Sequence, residues 1–391
     1  MRKLLLGILA ALLLSVQGCG NSKDIQSLAY VSALGLDYKN GKYVAYVQVL
    51  NFSNIARSEA VTLGEEVPIW IGRGDGETIS GAIAETNATS QSRLFWGHVK
   101  AVIVTENFMK RGLSGLTSSL LRDRQARYTV LFYGTKEKME DILTQKSIFN
   151  LSPLDTMMFT AVQMNTQKAY ILPVNANKAF AYLNEPGGAG MLPEIGIYRH
   201  TWHEDFKKKP MFIIKGAFFF EGYKYKNHMA MEPLKGIRWR DEKLDLTPLK
   251  LLKNGRPSAV LMLGHPRFSI KIRVEQGKPR YDVKIKTTGY ISEQVQKATI
   301  QELQNEAALA IRKEVQNTFA IATAEKTDCF RLQLELYRKH PELFRQLMRQ
   351  GPFFLESDSL ASVEADVYIR TTGKFKGSVY SDKQDGDEDG S

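Results

Sequence analysis

The residue with the clearest chemical role is Cys19, one of two cysteines in the 391-residue chain. A basic pair, Arg2-Lys3, precedes the eleven-residue apolar run Leu4–Leu14, and Val16-Gln17-Gly18 leads to Cys19. A basic start, an apolar run of this length and a small residue before the cut are typical of a secretory signal. As a helix the run spans ~16 Å, short of the ~30 Å hydrocarbon core of a bilayer. The pattern predicts export and removal of residues 1–18.

The residues before Cys19 resemble the lipobox of bacterial lipoproteins, in which Leu and two small residues precede the cysteine. Val16 and Gln17 depart from that pattern. The resemblance implies that Cys19 becomes the mature N-terminus, carrying an S-linked diacylglycerol and an N-linked acyl chain. Two or three such chains hold a protein stably on a membrane, whereas one does so only marginally. Ordinary secretion with an incidental cysteine is the alternative.

The second cysteine, Cys329, cannot pair with a lipidated Cys19, so no intramolecular disulfide is predicted. It lies in Asp328-Cys329-Phe330, at the start of a predicted helix. Free cysteine is among the most buried residue types. We therefore predict a buried structural thiol.

Two short motifs suggest ligand chemistry only weakly. The spacing of Gly72-Arg73-Gly74-Asp75-Gly76 matches neither the dinucleotide fingerprint nor a P-loop, so it predicts a plain turn before a helix. His200, His203, Glu204 and Asp205 could contribute to a metal site, but zinc requires three or four placed ligands. The alternative favoured for that segment is a solvated linker. No cofactor and no metal are predicted.

The acidic residues give no catalytic pattern. Glu106, Glu204 and Glu364 lie in no paired-carboxylate or nucleophile motif. The sequence therefore predicts no catalytic residue and a protein that is not an enzyme.

Composition and charge favour a globular protein at a membrane surface. The chain is 43% apolar and 24% charged, which is ordinary for a globular protein, and its net charge is +11. Basic residues near an anionic leaflet are attracted to it. Nucleic acid is the usual alternative partner for such a charge, but exported lipoproteins seldom meet it, and none is predicted.

The N-terminal region, residues 19–195, is predicted to be α/β, with helices on a sheet and a subdivision near residue 150. Apolar strands at Leu28–Leu36 and Tyr43–Phe52 flank Asn40-Gly41, a hairpin signal. The remaining segments alternate strand and helix. They are strands at Val67–Ile71, Gly97–Val104 and Tyr128–Tyr133, and helices at Glu77–Asn87, Phe108–Arg124 and Lys136–Leu143.

The C-terminal region, residues 196–380, is predicted to be an α+β domain that follows a linker within 184–210. Alternating apolar residues over 268–285 predict a hairpin with one buried face. A stripe of apolar residues predicts a helix from Ser292 to about Ala324 that backs an antiparallel sheet. The fold class is thus α+β or mixed α/β in several domains, and the acidic tail 381–391 is predicted to be disordered.

Six segments of the sequence together match one family pattern. In chain order they are Asp24–Asp37, Gly97–Glu106, Arg127–Gly134, Lys215–Phe220, Tyr337–Pro341 and Val367–Gly373. They resemble the Ger(x)C family of spore germination lipoproteins, although Asn21 and Phe344 stand where that family often has Trp.

The resemblance implies the C subunit of a nutrient germinant receptor, a non-enzymatic lipoprotein on the outer face of the spore's inner membrane. Its partners would be the integral-membrane A and B subunits and, through acylated Cys19, membrane lipid. It implies a mixed α/β fold of about three domains. Cys19 is the one functional residue that the resemblance assigns.

Other hypotheses remain open from the sequence. A solute-binding lipoprotein of a transporter would need a cleft between two similar lobes, and an envelope hydrolase would need a catalytic set. The predicted basic strand face of Lys271, Arg273, Lys284 and Lys286 could contact partner proteins or anionic lipid, or could simply be solvated.

Overall fold

A computed structural model describes residues 28–50, 68–116, 129–150, 152–160, 170–187 and 190–371. The predicted signal peptide 1–18, Cys19 and the tail 381–391 lie outside these residues. Predictions about those segments are therefore neither confirmed nor contradicted by the fold.

The first sheet collects its strands from residues 28–230. Its elements in chain order are β1 (Leu28–Lys39), β2 (Lys42–Leu50), β3 (Ile69–Gly76), α1 (Ile79–Ala88), β4 (Arg93–Phe95), β5 (Ala101–Thr105), α2 (Glu106–Arg111), β6 (Leu131–Thr135), α3 (Met139–Leu143), β7 (Val174–Asn175), α4 (Ala176–Asn184), β8 (Gly190–Glu204), β9 (Lys207–Glu221) and β10 (Lys224–Ala230). Among the described residues the strand order is β10-β9-β8-β6-β5-β1-β2-β3, with β4 beside β1 and β7 beside β6. Strands β1, β5, β6 and β8 run parallel to one another.

Helices cover both faces of this sheet, as the unbroken apolar run of β1 predicts. Leu34 and Leu36 join a core that includes residues of α1, α2 and α4. On the other face, Ala33 joins a core that includes Met139 of α3. Gly35 faces the same helix, because a Cβ added there would lie 2.4 Å from Met139 Sδ. The centre of the sheet is therefore fully buried.

The second sheet follows a 3₁₀ segment, Glu232–Arg240. Its elements are β11 (Thr247–Lys253), β12 (Arg256–Glu275), β13 (Lys278–Gln294), α5 (Ile300–Ala324), α6 (Leu332–Lys339), α7 (Pro341–Gln350) and β14 (Leu360–Thr371). The order is β11-β12-β13-β14. The first three strands are antiparallel, as predicted, whereas β14 is parallel to β13. The chain returns to the sheet through three helices, and such a long crossover suits a parallel pair.

Helix α5 backs this sheet with the predicted apolar stripe, in which Leu303, Ile311 and Val315 are fully buried. It begins at Ile300, and Thr299 and Glu302 form a capping box at its N-terminus. The predicted start at Ser292 is wrong, because β13 continues to Gln294.

The predicted fold class is confirmed: the chain is mixed α/β, with helices on an N-terminal sheet and a C-terminal sheet backed by a long helix. The predicted division between residues 195 and 196 falls inside β8. It stays a prediction. Residues 200–209, predicted to lie within or beside a linker in 184–210, instead form the outer part of the β8–β9 hairpin, with Asp205 at a positive φ in its turn.

Candidate interaction sites

The chain enters the fold at one end of the first sheet, along the edge at which its parallel strands begin. Eight residues lie between Cys19 and Leu28, which begins β1, so the two Cα atoms are nine chain steps and at most about 32 Å apart. Strands β1, β3 and β4 begin at this edge, as the pairing of Tyr30 with Leu50 and Phe95, and of Leu50 with Ile69, shows. We call it the tether edge.

Aromatic side chains gather at the tether edge. The Tyr30 ring centroid lies 5.7 Å from that of Phe95 and 5.1 Å from that of His98, both edge to face. Gly97 makes room for this arrangement, because a Cβ there would lie 2.8 Å from the Phe95 ring. Trp70, near the start of β3, is 69% exposed.

A hairpin arm extends from the opposite edge of the sheet. Strand β8 pairs with β6 at Glu194, and farther along it pairs only with β9. Side chains on both faces of the arm are exposed over 198–208. Trp202 is 51% exposed and Phe206, in the turn, is fully exposed. Because His200, His203 and Glu204 lie along this extended arm, they do not form the helical turn that a metal site there would require.

The predicted basic face of the second sheet carries mixed charge. Arg273 Nε donates to Asp282 Oδ2 at 2.6 Å. Lys284 Nζ lies 3.3 Å from Asp366 Oδ2 and 3.6 Å from Glu364 Oε2. Since these exposed bases alternate with acids, the face is less basic than the sequence of the hairpin alone suggests.

A polar chain crosses the β6, β8 and β10 region. The carboxylate of Glu194 is buried, and its Oε2 lies 2.7 Å from His228 Nε2. Lys136 Nζ lies 2.8 Å from His228 Nδ1. With Lys136 donating, the neutral ring donates its Nε2–H to the carboxylate. The chain thus satisfies a buried carboxylate, and it includes no hydroxyl or thiol side chain.

Glu137 ties the base of the hairpin arm to the end of β6. Its Oε1 accepts from Lys215 Nζ at 2.5 Å and from the backbone N–H of Ile197 at 3.3 Å, while Arg199 Nη2 lies 3.7 Å from Oε2. Burial acts to raise the pKa of Glu137, but the hydrogen bonds and the Lys215 and Arg199 charges outweigh it and lower the pKa. The carboxylate is therefore held in its charged form.

A buried ion pair joins the 3₁₀ segment to α5. Arg238 Nη2 donates to Glu314 at 2.6 Å and 2.8 Å, and its Nη1 donates to Thr247 Oγ1 at 2.9 Å. Trp239 Nε1 also donates to Glu314, at 2.8 Å. These groups satisfy one another inside the core, which makes them structural.

A cleft of about 590 Å³ opens between α4, β12 and α6. The Arg331 guanidinium lies 3.4 Å from the centre of the Tyr182 ring, and Arg240 lies 3.5 Å from Glu335. Burial lowers the pKa of both arginines. Five basic and three acidic side chains line the cleft, so it is polar and of mixed charge.

Cys329 lies buried at the cleft wall, as predicted for a structural thiol. Burial raises the pKa of this thiol well above its ordinary value, so it stays protonated. The neighbouring Asp328 accepts from the backbone N–H groups of Leu332 and Gln333 at 2.9 Å and 2.7 Å, and so caps α6. Burial raises the pKa of Asp328 as well.

The glycine motif forms a strand, and the predicted turn is wrong. Gly74 lies under α1, where a Cβ would be 2.4 Å from Ala82 O, and Gly76 is equally close to Ala82 N, at 2.5 Å. The glycines therefore serve close strand–helix packing.

The three candidate carboxylates lie apart. Glu106 begins α2 and accepts from Tyr225 Oη at 2.8 Å, Glu204 lies on the arm, and Glu364 lies on β14 in the other sheet. They do not form a shared site.

Among the residues that the structure describes, no group of three or more His, Cys, Asp or Glu side chains is placed to hold a metal ion. Within the same residues, no helix has both the length and the apolarity that crossing a bilayer requires.

Sequence reasoning missed the Glu194–His228 contact, Glu137 and the tether-edge aromatics. Glu194 and His228 come together only through the pairing of β8, β9 and β10. The local sequence signal that could have indicated the tether edge is the Trp70 residue between Ile69 and Ile71 at the start of β3.

The fold and these surfaces define a two-sheet α/β protein whose sheets share one apolar core. The chain belongs to the spore germination protein family that the sequence resembles. Residues 21–197 match the family described as spore germination protein N-terminal domain, and residues 215–373 match the one described as spore germination B3/GerAC like, C-terminal.

Curated relatives extend over nearly the whole chain. Spore germination protein KC of Bacillus subtilis (strain 168) is 23% identical over 395 residues, covering 95% of this chain and 96% of its own. Spore germination protein B3 of the same organism is 18% identical over 350 residues, covering 86% of this chain and 89% of its own. The crystal structure of the GerBC protein shares the fold, with a TM-score of 0.54 and 15% identity over 89% of this chain and 100% of that one.

Proposed function

We propose that this protein is the lipid-anchored C subunit of a nutrient germinant receptor. It has a non-enzymatic role, acting beside the integral-membrane A and B subunits when germination begins. The observation that carries the proposal is the family match along both halves of the chain together with the lipobox-like residues before Cys19. The acyl chains on Cys19 would hold the protein on the outer face of the spore's inner membrane.

The fold supports an interaction role over the two alternatives. A solute-binding protein was expected to show two similar lobes, whereas the cleft at Tyr182 lies between elements associated with unlike sheets. A hydrolase was expected to bring its carboxylates together, whereas Glu106, Glu204 and Glu364 lie on separate elements.

Substitution of the anchor tests the proposal. In Cys19→Ala spores we expect the protein to leave the membrane fraction and nutrient-triggered germination to fall, because the variant lacks the cysteine that would carry the acyl chains. Labelled palmitate should be incorporated by the wild-type protein and not by this variant. Membrane fractionation and loss of optical density after nutrient addition measure the two effects.

The second cysteine supplies a matched control. Cys329→Ala removes a buried thiol and should keep the acyl label, the membrane location and germination. A Cys19→Ala protein that stays on the membrane and supports full germination would contradict the proposal. Unchanged retention of the wild-type protein in spores lacking the A and B subunits would count against the receptor complex.

A further inference from the structure

We propose that the tether edge of the first sheet rests on the bilayer, with Trp70 and Trp96 at the lipid headgroup level. This inference rests on the lipid anchor proposed above and adds the orientation of the folded protein and the surface that meets the membrane. The occupant of the surface is an anionic lipid headgroup layer.

The length of the tether supplies the first argument. Because Leu28 lies at most about 32 Å from Cys19, an acylated Cys19 keeps the start of β1 close to the membrane. The register then places the starts of β4 and β3 level with Leu28 and Tyr30, and β5 begins farther along, beside Ala33. These strand starts are the part of the described fold that the tether holds nearest the bilayer.

Side-chain chemistry at this edge supplies the second argument. Trp70 is 69% exposed, and Trp96, which follows Phe95 in the chain, is half-buried against the core. Trp and Tyr concentrate at membrane–water interfaces because their rings are apolar with one polar group. An exposed Trp here has a favourable environment in the headgroup layer that bulk water does not offer.

Charge supplies the third argument. The described segments at this edge contain two Lys, Arg, Asp or Glu residues, Arg93 and Lys100, and both are exposed bases. Bases near an anionic leaflet are attracted to it. The segments concerned are residues 28–31, 48–50, 68–70, 93–100 and 129–131.

The hairpin arm has similar residue types but lies at the opposite edge. From the row of Trp70 to Trp202 the strands rise about ten residues, roughly 33 Å along the strand direction. With the tether edge on the membrane, Trp202 and Phe206 point away from it. The arm is therefore an internal control for any assay of membrane contact.

Tryptophan quenching by brominated lipid tests the orientation, because the four tryptophans of the chain lie in three distinguishable places: the tether edge, the arm and the core. The mature acylated protein is placed in vesicles of phosphatidylcholine and phosphatidylglycerol, with and without bromine on the acyl chains. We expect quenching in the wild type, loss of most of it in the W70F/W96F variant, and full retention in W202F. Trp239, buried in the core, should contribute none.

Charge reversal gives a second matched pair. R93E/K100E should reduce the quenching and remove its dependence on salt, whereas K207E/K208E on the arm should leave both unchanged. Near-ultraviolet circular dichroism confirms that each variant is folded.

The outcomes separate this inference from the anchor. Acylated protein that co-sediments with vesicles but shows no quenching, or shows quenching that W202F abolishes, overturns the orientation and leaves the anchor in place. Acylated protein that does not co-sediment overturns the anchor and, with it, the basis of the orientation.

Discussion

At the scale of single residues, the polar groups that matter most are those that hold two elements together inside the fold. Glu137 is the clearest case, because it accepts hydrogen bonds from β8 and β9 while belonging to the turn after β6. Its lowered pKa means that the charged form is favoured by folding. Stability that depends on this charge is fully present above the ordinary Glu pKa of 4.5 and is lost as the pH falls through the lower folded pKa.

We expect Glu137→Gln to lower the free energy of unfolding by about 1–3 kcal/mol at neutral pH, because a charged hydrogen bond to Lys215 is lost. The gap between wild type and variant should shrink at pH values below 4.5. Denaturant unfolding of the soluble Cys19→Ala form over a pH series measures it. Asp141→Asn, which removes only a 3.6 Å exposed contact with Arg199, should change little, and a gap that is constant with pH would contradict the assignment.

At the scale of elements, β3 and α1 approach closely enough to require glycine. We expect Gly74→Ala to destabilise the fold by about 1–3 kcal/mol, because the new methyl group would overlap Ala82 O. Gly72→Ala is the matched control in the same strand, since its Cβ would make an ordinary 3.9 Å contact with Thr86. Thermal unfolding of both variants measures the difference, and equal shifts would show that strand propensity rather than packing determines the effect.

Strands β1, β3 and β14 show which features of an element its own sequence predicts and which depend on its neighbours. Runs that are buried on both faces, such as β1, and period-two runs, such as 268–275, are local signals and gave the correct element type. The glycines of β3 indicate a turn locally, because their packing partner lies on another element. The direction of β14 was also hidden, since an alternating strand looks the same in parallel and antiparallel pairs.

At the scale of the candidate site, the sequence predicts that Cys19 is the anchored residue, which stays a prediction, and leaves the tether edge unidentified. The tether edge is assembled from β1, β3 and β4, which are brought together by strand pairing over more than sixty residues of chain. No sequence window contains that surface. The two basic residues at this edge look like ordinary surface residues in the sequence, and the register places Arg93 beside Leu28 and Lys100 beside Ser32.

At the scale of the whole molecule, the two family regions meet inside the first sheet. Residues 21–197 form one match, yet β9 and β10 of the same sheet lie wholly beyond it, and Phe218 and Phe220 of β9 belong to the core covered by α2 and α4. A cut at residue 197 would remove those side chains and leave β8 without its partner strand. A division near residue 195 would therefore split the first sheet, whereas a division after β10 would leave its strands together.

We therefore expect a fragment of residues 20–231 to be more stably folded than a fragment of residues 20–197, since both lose the part of the shared core that the second sheet supplies and only the shorter one also loses β9 and β10. Loss of β9 and β10 exposes an unpaired strand edge and removes buried phenylalanines from the core. Gel filtration and hydrogen exchange of the two fragments measure this. The F218A/F220A variant of the longer fragment isolates the contribution of the core, and should be less stable than its parent while keeping the paired edge. If the shorter fragment folded as well as the longer one, the division near residue 195 would be the correct description of this protein.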